Sequence, residues 1–205
     1  MISKIIDDEL YQGYLAKVYQ DTQGYQRYSL AEHTLYKDAG ICITYGELLY
    51  PSAKKIIHEM SKDQNEVFLD LGSGLGKCAL QVFMQTELRR VLGIEASKEL
   101  HTQALTAFNQ VKSDFPSFWE EGRSLTLICD NFLHADWQDA TIVYSCSTCF
   151  TQELLIAIGN KINQQPQVKQ VFSFRPLPSL KLPLKKVFAV ECSWDSALCF
   201  FYAKR

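Results

Sequence analysis

Residues 66–80 read EVFLDLGSGLGKCAL: a short apolar run, a carboxylate, three glycines at alternate positions and the start of an apolar helix face. Val67, Phe68, Leu69 and Leu71 have the character of a buried strand, with Asp70 near its carboxyl end. Gly72, Gly74 and Gly76 allow a tight turn and a close approach by a ligand, because glycine has no Cβ and tolerates positive φ. Cys78, Ala79, Leu80, Val82 and Phe83 then form the apolar side of a helix. Strand, glycine turn and helix in that order put the turn at the carboxyl end of a strand in an open α/β sheet, where such folds bind ligands.

Spacing separates two ligand classes. A dinucleotide fingerprint has the frame G-x-G-x-x-G and turns its first helical amides toward a pyrophosphate. Here the frame is G-x-G-x-G, Lys77 stands at the third glycine position, and Asp70 beside the turn repels a pyrophosphate but attracts a cation. S-adenosylmethionine carries an ammonium and a sulfonium and no phosphate, so Asp70 favours that donor over NAD. The next segment, RRVLGIEASKEL, gives a second strand over 91–94 that ends in Glu95, then a helix capped by Ser97. Glu95 follows the first glycines by roughly 20 residues, the distance at which a strand-end acid reaches a ribose diol. A third strand, SLTLICD, ends in Asp130, which can accept a hydrogen bond from an adenine amino group. Each acid alone is as readily a cap or a solvated group; three in order after one glycine turn are expected to hold an amino acid, a ribose and a base.

The 205 residues, 47% hydrophobic and 12% aromatic, suffice for one well-buried domain. A net charge of -2 argues against general adhesion to nucleic acid or anionic membranes. No early apolar run has the length or flanks of a signal peptide, and none approaches the ~20 residues of a membrane span. The expectation is a soluble protein of a reducing, cytoplasmic compartment, with delivery to another cell left open. Seven cysteines form an odd set, which suggests reduced thiols. Cys146 and Cys149 form C-x-x-C, but the order of elements is not that of a thioredoxin and no second ligand pair for zinc is in the chain, so buried or cavity-lining thiols are expected and no metal.

Residues 1–60 read as a helical, tyrosine-rich region and 61–205 as a sheet-bearing domain. In the second part strands and helices alternate: 67–71, 77–86, 91–94, 97–112, 124–129, 141–145, 150–163 and 168–174, then apolar runs near 186–192 and 197–203. That alternation predicts a Rossmann-like, doubly wound α/β fold, with a mostly parallel seven-stranded sheet closed by an antiparallel hairpin.

Ahead of the glycine turn stands ITYGELLYPSAKKIIHEM. The pairing of T-Y-G-E, a helix and D-L-G-S-G-x-G-x-x-x-L-Q-V resembles the disruptor-of-telomeric-silencing family, the histone lysine methyltransferases without a SET domain, which use S-adenosylmethionine. The resemblance continues through GIEAS, CDNFLHADW and SFRPL to CSWDSALCFFYAKR, covering roughly residues 40 to 205. It implies that Thr44, Tyr45, Gly46 and Glu47 cover the donor. It also implies that Asp70, Gly72, Ser73 and Gly74 hold the methionine end, Glu95 and Ala96 the ribose, and Asp130 and Asn131 the adenine, with Gln81 matching the family glutamine. Where the family has two asparagines and Phe-Ala-Phe, this chain reads SCSTCF, which puts the acceptor in question. Ser147 and Thr148 become candidate polar contacts to a lysine amine, and Phe150, Trp194, Phe200 and Phe201 the candidate channel wall. The small basic groups Lys54-Lys55, Arg89-Arg90, Lys181 with Lys185-Lys186, and Lys204-Arg205 do not suggest a nucleosome surface, so the expected partner is a protein with an accessible lysine. The rivals are a methyltransferase of small molecules or RNA, a non-catalytic donor-binding module, and an NAD-binding domain.

Overall fold

The computed structural model describes residues 5–20, 22, 34, 46–137 and 139–204. Among them are five α-helices, α1 (Asp8–Val18), α2 (Tyr50–Glu59), α3 (Lys77–Gln85), α4 (Lys98–Asp114) and α5 (Gln152–Asn163), with a 3₁₀ turn at Pro116–Trp119. The strands are β1 (Val67–Leu71), β2 (Arg90–Glu95), β3 (Ser124–Cys129), β4 (Ile142–Ser145), β5 (Gln170–Ser173), β6 (Leu184–Glu191) and β7 (Ser196–Ala203). They form one sheet in the order β3-β2-β1-β4-β5-β7-β6. The first five are parallel, and β7 runs antiparallel to both β5 and β6. This is the mostly parallel sheet with a C-terminal antiparallel pair that the alternation predicts.

Local sequence sets the element ends. Ser97 and Thr151 accept N–H bonds from Leu100 and Leu154 and so start α4 and α5; the Thr151 cap explains why α5 begins two residues later than the apolar pattern suggests. Tyr50-Pro51 opens α2, where a proline costs no helical hydrogen bond. Arg123, at the start of β3, is buried and donates to the carbonyls of Phe83, Thr86 and Leu88 while its guanidinium stacks 4.5 Å from the Phe83 ring. One side chain thus satisfies carbonyls at and beyond the end of α3 and fixes that helix against the sheet.

Apolar layers cover both faces of the sheet. Tyr11, Ile56, Leu80, Phe83 and Val111 of α1 to α4 pack on Phe68, Tyr144, Phe172 and Phe201 of one face. Leu155, Ile158 and Ile162 of α5 pack on Leu69, Val143, Val171 and Tyr202 of the other. The N-terminal helix therefore shares its core with the sheet. It is also stitched on by polar bonds: Ile6 N–H to Met84 carbonyl at 3.0 Å, Tyr19 hydroxyl to Leu75 carbonyl at 3.1 Å, and Gln85 Nε2 to Asp8 at 3.0 Å.

The sequence pattern did not mark one short pairing, an antiparallel bridge between Leu48 and Cys192. Leu49 N–H bonds Glu191 carbonyl at 3.0 Å and Ser193 N–H bonds Glu47 carbonyl at 2.8 Å. Residues 46–49 thus lie beside the β6–β7 turn, tied to it by this one bridge and its flanking backbone bonds.

Candidate active site

The strand order reverses between β1 and β4, and the cavity that opens at their carboxyl ends is where this class of sheet takes its ligands. Its floor is the glycine turn. Gly72, Gly74 and Gly76 all have positive φ, and the Gly72 and Ser73 N–H groups bond Ile94 carbonyl at 2.9 and 3.0 Å, folding the turn back over β2. Gly93 makes this possible: a Cβ there would fall 2.9 Å from the Ser73 side chain. Asp70, Gly72, Ser73 and Gly74 all line the cavity, as do Glu95 and Ala96 from the end of β2 and Asn131 from beyond β3.

Two buried carboxyls dominate the electrostatics. Asp70 is 2% exposed, and its carboxyl is pushed up to about 8, first by burial and then by the Glu95 charge, against the N–H of Ala79, which stabilises the ionised form. Burial also raises Glu95, opposed by N–H bonds that its Oε1 and Oε2 accept from Ser97 and Gly74, each at 2.8 Å. No cation acts on Asp70 among the described residues. Lys77 lines the same cavity, but its ammonium bonds Glu47 at 2.6 Å and lies 4.9 Å from the Tyr19 ring centroid. Together, Asp70 and Glu95 form a receptor for positive charge.

The opposite wall is aromatic and thiol-lined. Thr148, Cys149 and Phe150 come from the loop after β4, Trp194 from the β6–β7 turn, and Tyr144 and Cys146 from β4 and its end. A Cβ at Gly46 would overlap the Trp194 indole, so glycine is required for the indole to close on the 46–49 segment. Phe132 and Phe150 approach with centroids 5.8 Å apart. Lys161 supports the Phe132 side by donating to the carbonyls of Phe132, Leu133 and Ala135 at 2.7–2.9 Å.

The structure brings Glu47, Asp70, Gly72, Ser73, Gly74, Glu95, Ala96, Asn131, Thr148, Phe150 and Trp194 to one cavity. Five expected residues are not in its wall. Asp130 is exposed and accepts the Asn131 N–H at 2.7 Å, so it caps the turn after β3 while Asn131 faces inward. Gln81 is buried, bonding Tyr50 carbonyl at 3.2 Å and Gln85 at 2.9 Å, and joins α2 to α3. Ser147 is fully buried, and its Oγ accepts the N–H groups of Phe174 and Arg175 at 3.0 Å, pinning the end of β5. Phe200 and Phe201 are neighbours on a strand and so point to opposite faces; Phe201 stacks on Phe172 at 4.5 Å and Phe200 packs with the α5 layer. Thr44 and Tyr45, like Cys42, lie outside the described residues. Residue type along the chain did not single out Lys77, Phe132, Tyr144 or Leu154 as cavity residues, whereas Cys146 and Cys149 line it as the thiols expected there. The period-2 phase of β4, which puts Tyr144 and Cys146 on one side, was the signal available for Tyr144.

A glycine turn between two buried carboxyls at the switch point of a seven-stranded sheet defines a Rossmann-like, S-adenosylmethionine-dependent methyltransferase. Residues 29–184 match the family described as DOT1, histone methylation protein DOT1, and the chain belongs to that family. Solved structures share the fold at low identity. An RNA methyltransferase from Salinibacter ruber, in complex with S-adenosyl-L-homocysteine, is 15% identical, with 76% of this chain and 91% of that one covered at a TM-score of 0.57. TrmK from M. capricolum, in complex with S-adenosyl-homocysteine, is 10% identical over 77% and 70% of the two chains, also at 0.57. The methyltransferase domain of bacterial CtHen1 is 10% identical over 74% and 97%, at 0.56.

Proposed function

We propose that this methyltransferase acts on a lysine side chain of a protein. The observation that carries the reading is the composition of the wall facing the two carboxyls: Thr148, Phe150 and Trp194, with Gly46 packed under the indole, and, among the described residues, no basic side chain other than the paired Lys77. S-adenosylmethionine supplies an activated methyl group to a nucleophile aligned with it. The chain's task is then to hold the donor, align an uncharged amine and keep water out. Asp70 takes the donor's positive end and Glu95 its ribose hydroxyls, while Glu47, fixed by Lys77, closes over them. An aromatic lining along Trp194 and Phe150, once a lysine side chain fills it and displaces water, favours the neutral amine of lysine, because desolvation lowers a lysine pKa. Thr148 Oγ1 is the polar group at hand to accept its remaining N–H.

A free protein is favoured over a nucleosome as substrate. Lys54 pairs with Asp8, Lys186 with Glu59 at 2.6 Å and Arg90 with Asp139 at 2.9 Å, so one member of each of three small basic groups is already paired within the fold. The six described cysteines are free thiols, which supports work in a reducing cytoplasm. The test uses methyl-labelled donor with a protein extract, followed by acid hydrolysis and separate counting of methyl-lysine and methylated nucleosides. Label in methyl-lysine is expected, and Trp194→Ala should lower its rate about 10- to 100-fold. Label confined to nucleosides overturns the lysine reading and leaves donor binding intact.

A further inference from the structure

The β6–β7 hairpin has two unlike faces. Phe188 and Val190 of β6 join Cys199 and Phe201 of β7 in the apolar layer that includes Ile56 of α2. Cross-strand partners share a face, so Leu184 with Tyr202, Val187 with Phe200, and Ala189 with Leu198 lie on the other one. There the α5 layer takes in Tyr202 and Phe200 but no residue of β6. Leu184 is left 51% exposed, Val187 42% and Leu198 53%. Trp194, 42% exposed at the turn of the same hairpin, also lines the cavity. Four of the eight large exposed apolar side chains among the described residues thus lie on one hairpin. A lone exposed leucine is ordinary surface; a cluster of this kind marks an interaction site.

We propose that this face docks the acceptor protein: an apolar, extended segment of it lies along Leu184, Val187 and Leu198 and carries its lysine past Trp194 into the cavity. The proposal rests on the lysine reading above. Three observations select this occupant. The strip leads to Trp194, which belongs both to the hairpin and to the cavity wall. Glu191 and Asp195 are exposed at the cavity end of the hairpin, opposite in sign to an arriving lysine ammonium. A second copy is disfavoured, because a few side chains on two strands fall far short of the about 800 Å² per partner of a stable interface. The outer edge of β6 is also engaged near the cavity. Glu191 N–H bonds Ser52 Oγ at 2.7 Å, Glu191 carbonyl accepts Leu49 N–H at 3.0 Å, and Ala189 carbonyl accepts Lys55 Nζ at 3.2 Å. Edge-to-edge strand pairing is blocked there, and the open face remains. β6 spans roughly 23 Å at ~3.3 Å per residue, room for about seven residues of an extended segment.

The experiment gives methyl-labelled donor and a dilution series of a protein extract to wild type and to the double variant Val187→Gln, Leu198→Gln, and counts methyl-lysine. Calorimetry with S-adenosylmethionine and the unfolding midpoint are measured on both proteins. Expected are equal donor affinity, similar midpoints and a methyl-lysine rate about tenfold lower in the variant at dilute extract, with the gap narrowing as the extract is concentrated. Leu198→Gln alone, at a half-exposed site, should show a loss of the same sign and serves if the double variant does not fold. Equal rates at every dilution overturn the docking face and leave the lysine reading standing. No methyl-lysine from wild type removes the lysine reading and the docking face with it. Wild type that sediments as a dimer, with the double variant a monomer, gives the face to a second copy and likewise overturns the proposal.

Discussion

Asp70 sits in the cavity as a carboxyl whose ionised form is disfavoured until a cation arrives. Its folded value of about 8 lies above the ordinary 3.8, so the native state holds a proton there that the unfolded chain has released. This contribution to stability is therefore present at low pH and is lost as pH rises from about 4 to about 8. Asp70→Asn, which mimics the protonated form, should match or exceed wild-type thermal stability at pH 9 when no donor is present. Donor binding should run the other way. If the cation is taken by ionised Asp70, wild-type affinity rises about tenfold per pH unit below the Asp70 value and levels off above it. Calorimetry across pH 6–9 checks both the slope and its absence in Asp70→Asn. The residues around this carboxyl were the most legible part of the site, because glycine spacing and acids at strand ends carry their chemistry in the sequence. Asp130 was not, although it too stands at a strand end, nor were Gln81, Ser147, Phe200 and Phe201: a strand end or a family position locates a residue along the chain but not the direction of its side chain. Ser147 shows the difference, since a hydroxyl expected to meet an amine instead satisfies two backbone N–H groups that burial would leave orphaned.

At the scale of elements, α3 is held between the glycine turn at its start and Arg123 at its end. Arg123→Met keeps the stem but leaves the Phe83, Thr86 and Leu88 carbonyls without that donor, and should cost about 3 kcal/mol in denaturant unfolding. The segment 46–49 is the second such element, docked by the Leu48–Cys192 bridge and the Glu47–Lys77 pair. Gly46→Ala forces the Trp194 indole off its seat and should reduce methyl transfer about 10- to 100-fold, with the unfolding midpoint little changed, because both residues sit at the surface of the fold. Strands and helices from residue 66 onward followed their hydrophobic periods closely, as expected where both faces of a parallel sheet are buried. The 46–49 pairing escaped notice because a bridge made by backbone groups between distant segments leaves no period to read.

In the whole molecule, the N-terminal helix is part of the catalytic fold. Ile6, Tyr11 and Tyr19 of this region are buried against α3 and its neighbours, and Tyr19 reaches the glycine turn through Leu75. Removing residues 1–20 uncovers these side chains and should cost about 5 kcal/mol of burial, lowering the melting temperature by roughly 10–20 °C. Composition and charge bounded the class of molecule, while this docking depends on tyrosine contacts across long sequence separation and was visible only in three dimensions. Titration of S-adenosylmethionine by calorimetry at pH 8 into wild-type protein and into folded Asp70→Asn tests the whole account most directly. The account predicts saturable binding to wild type that weakens by at least about 100-fold in the variant, the scale of a lost buried charge contact. Equal affinity in the two proteins, or no binding to folded wild type, would contradict it.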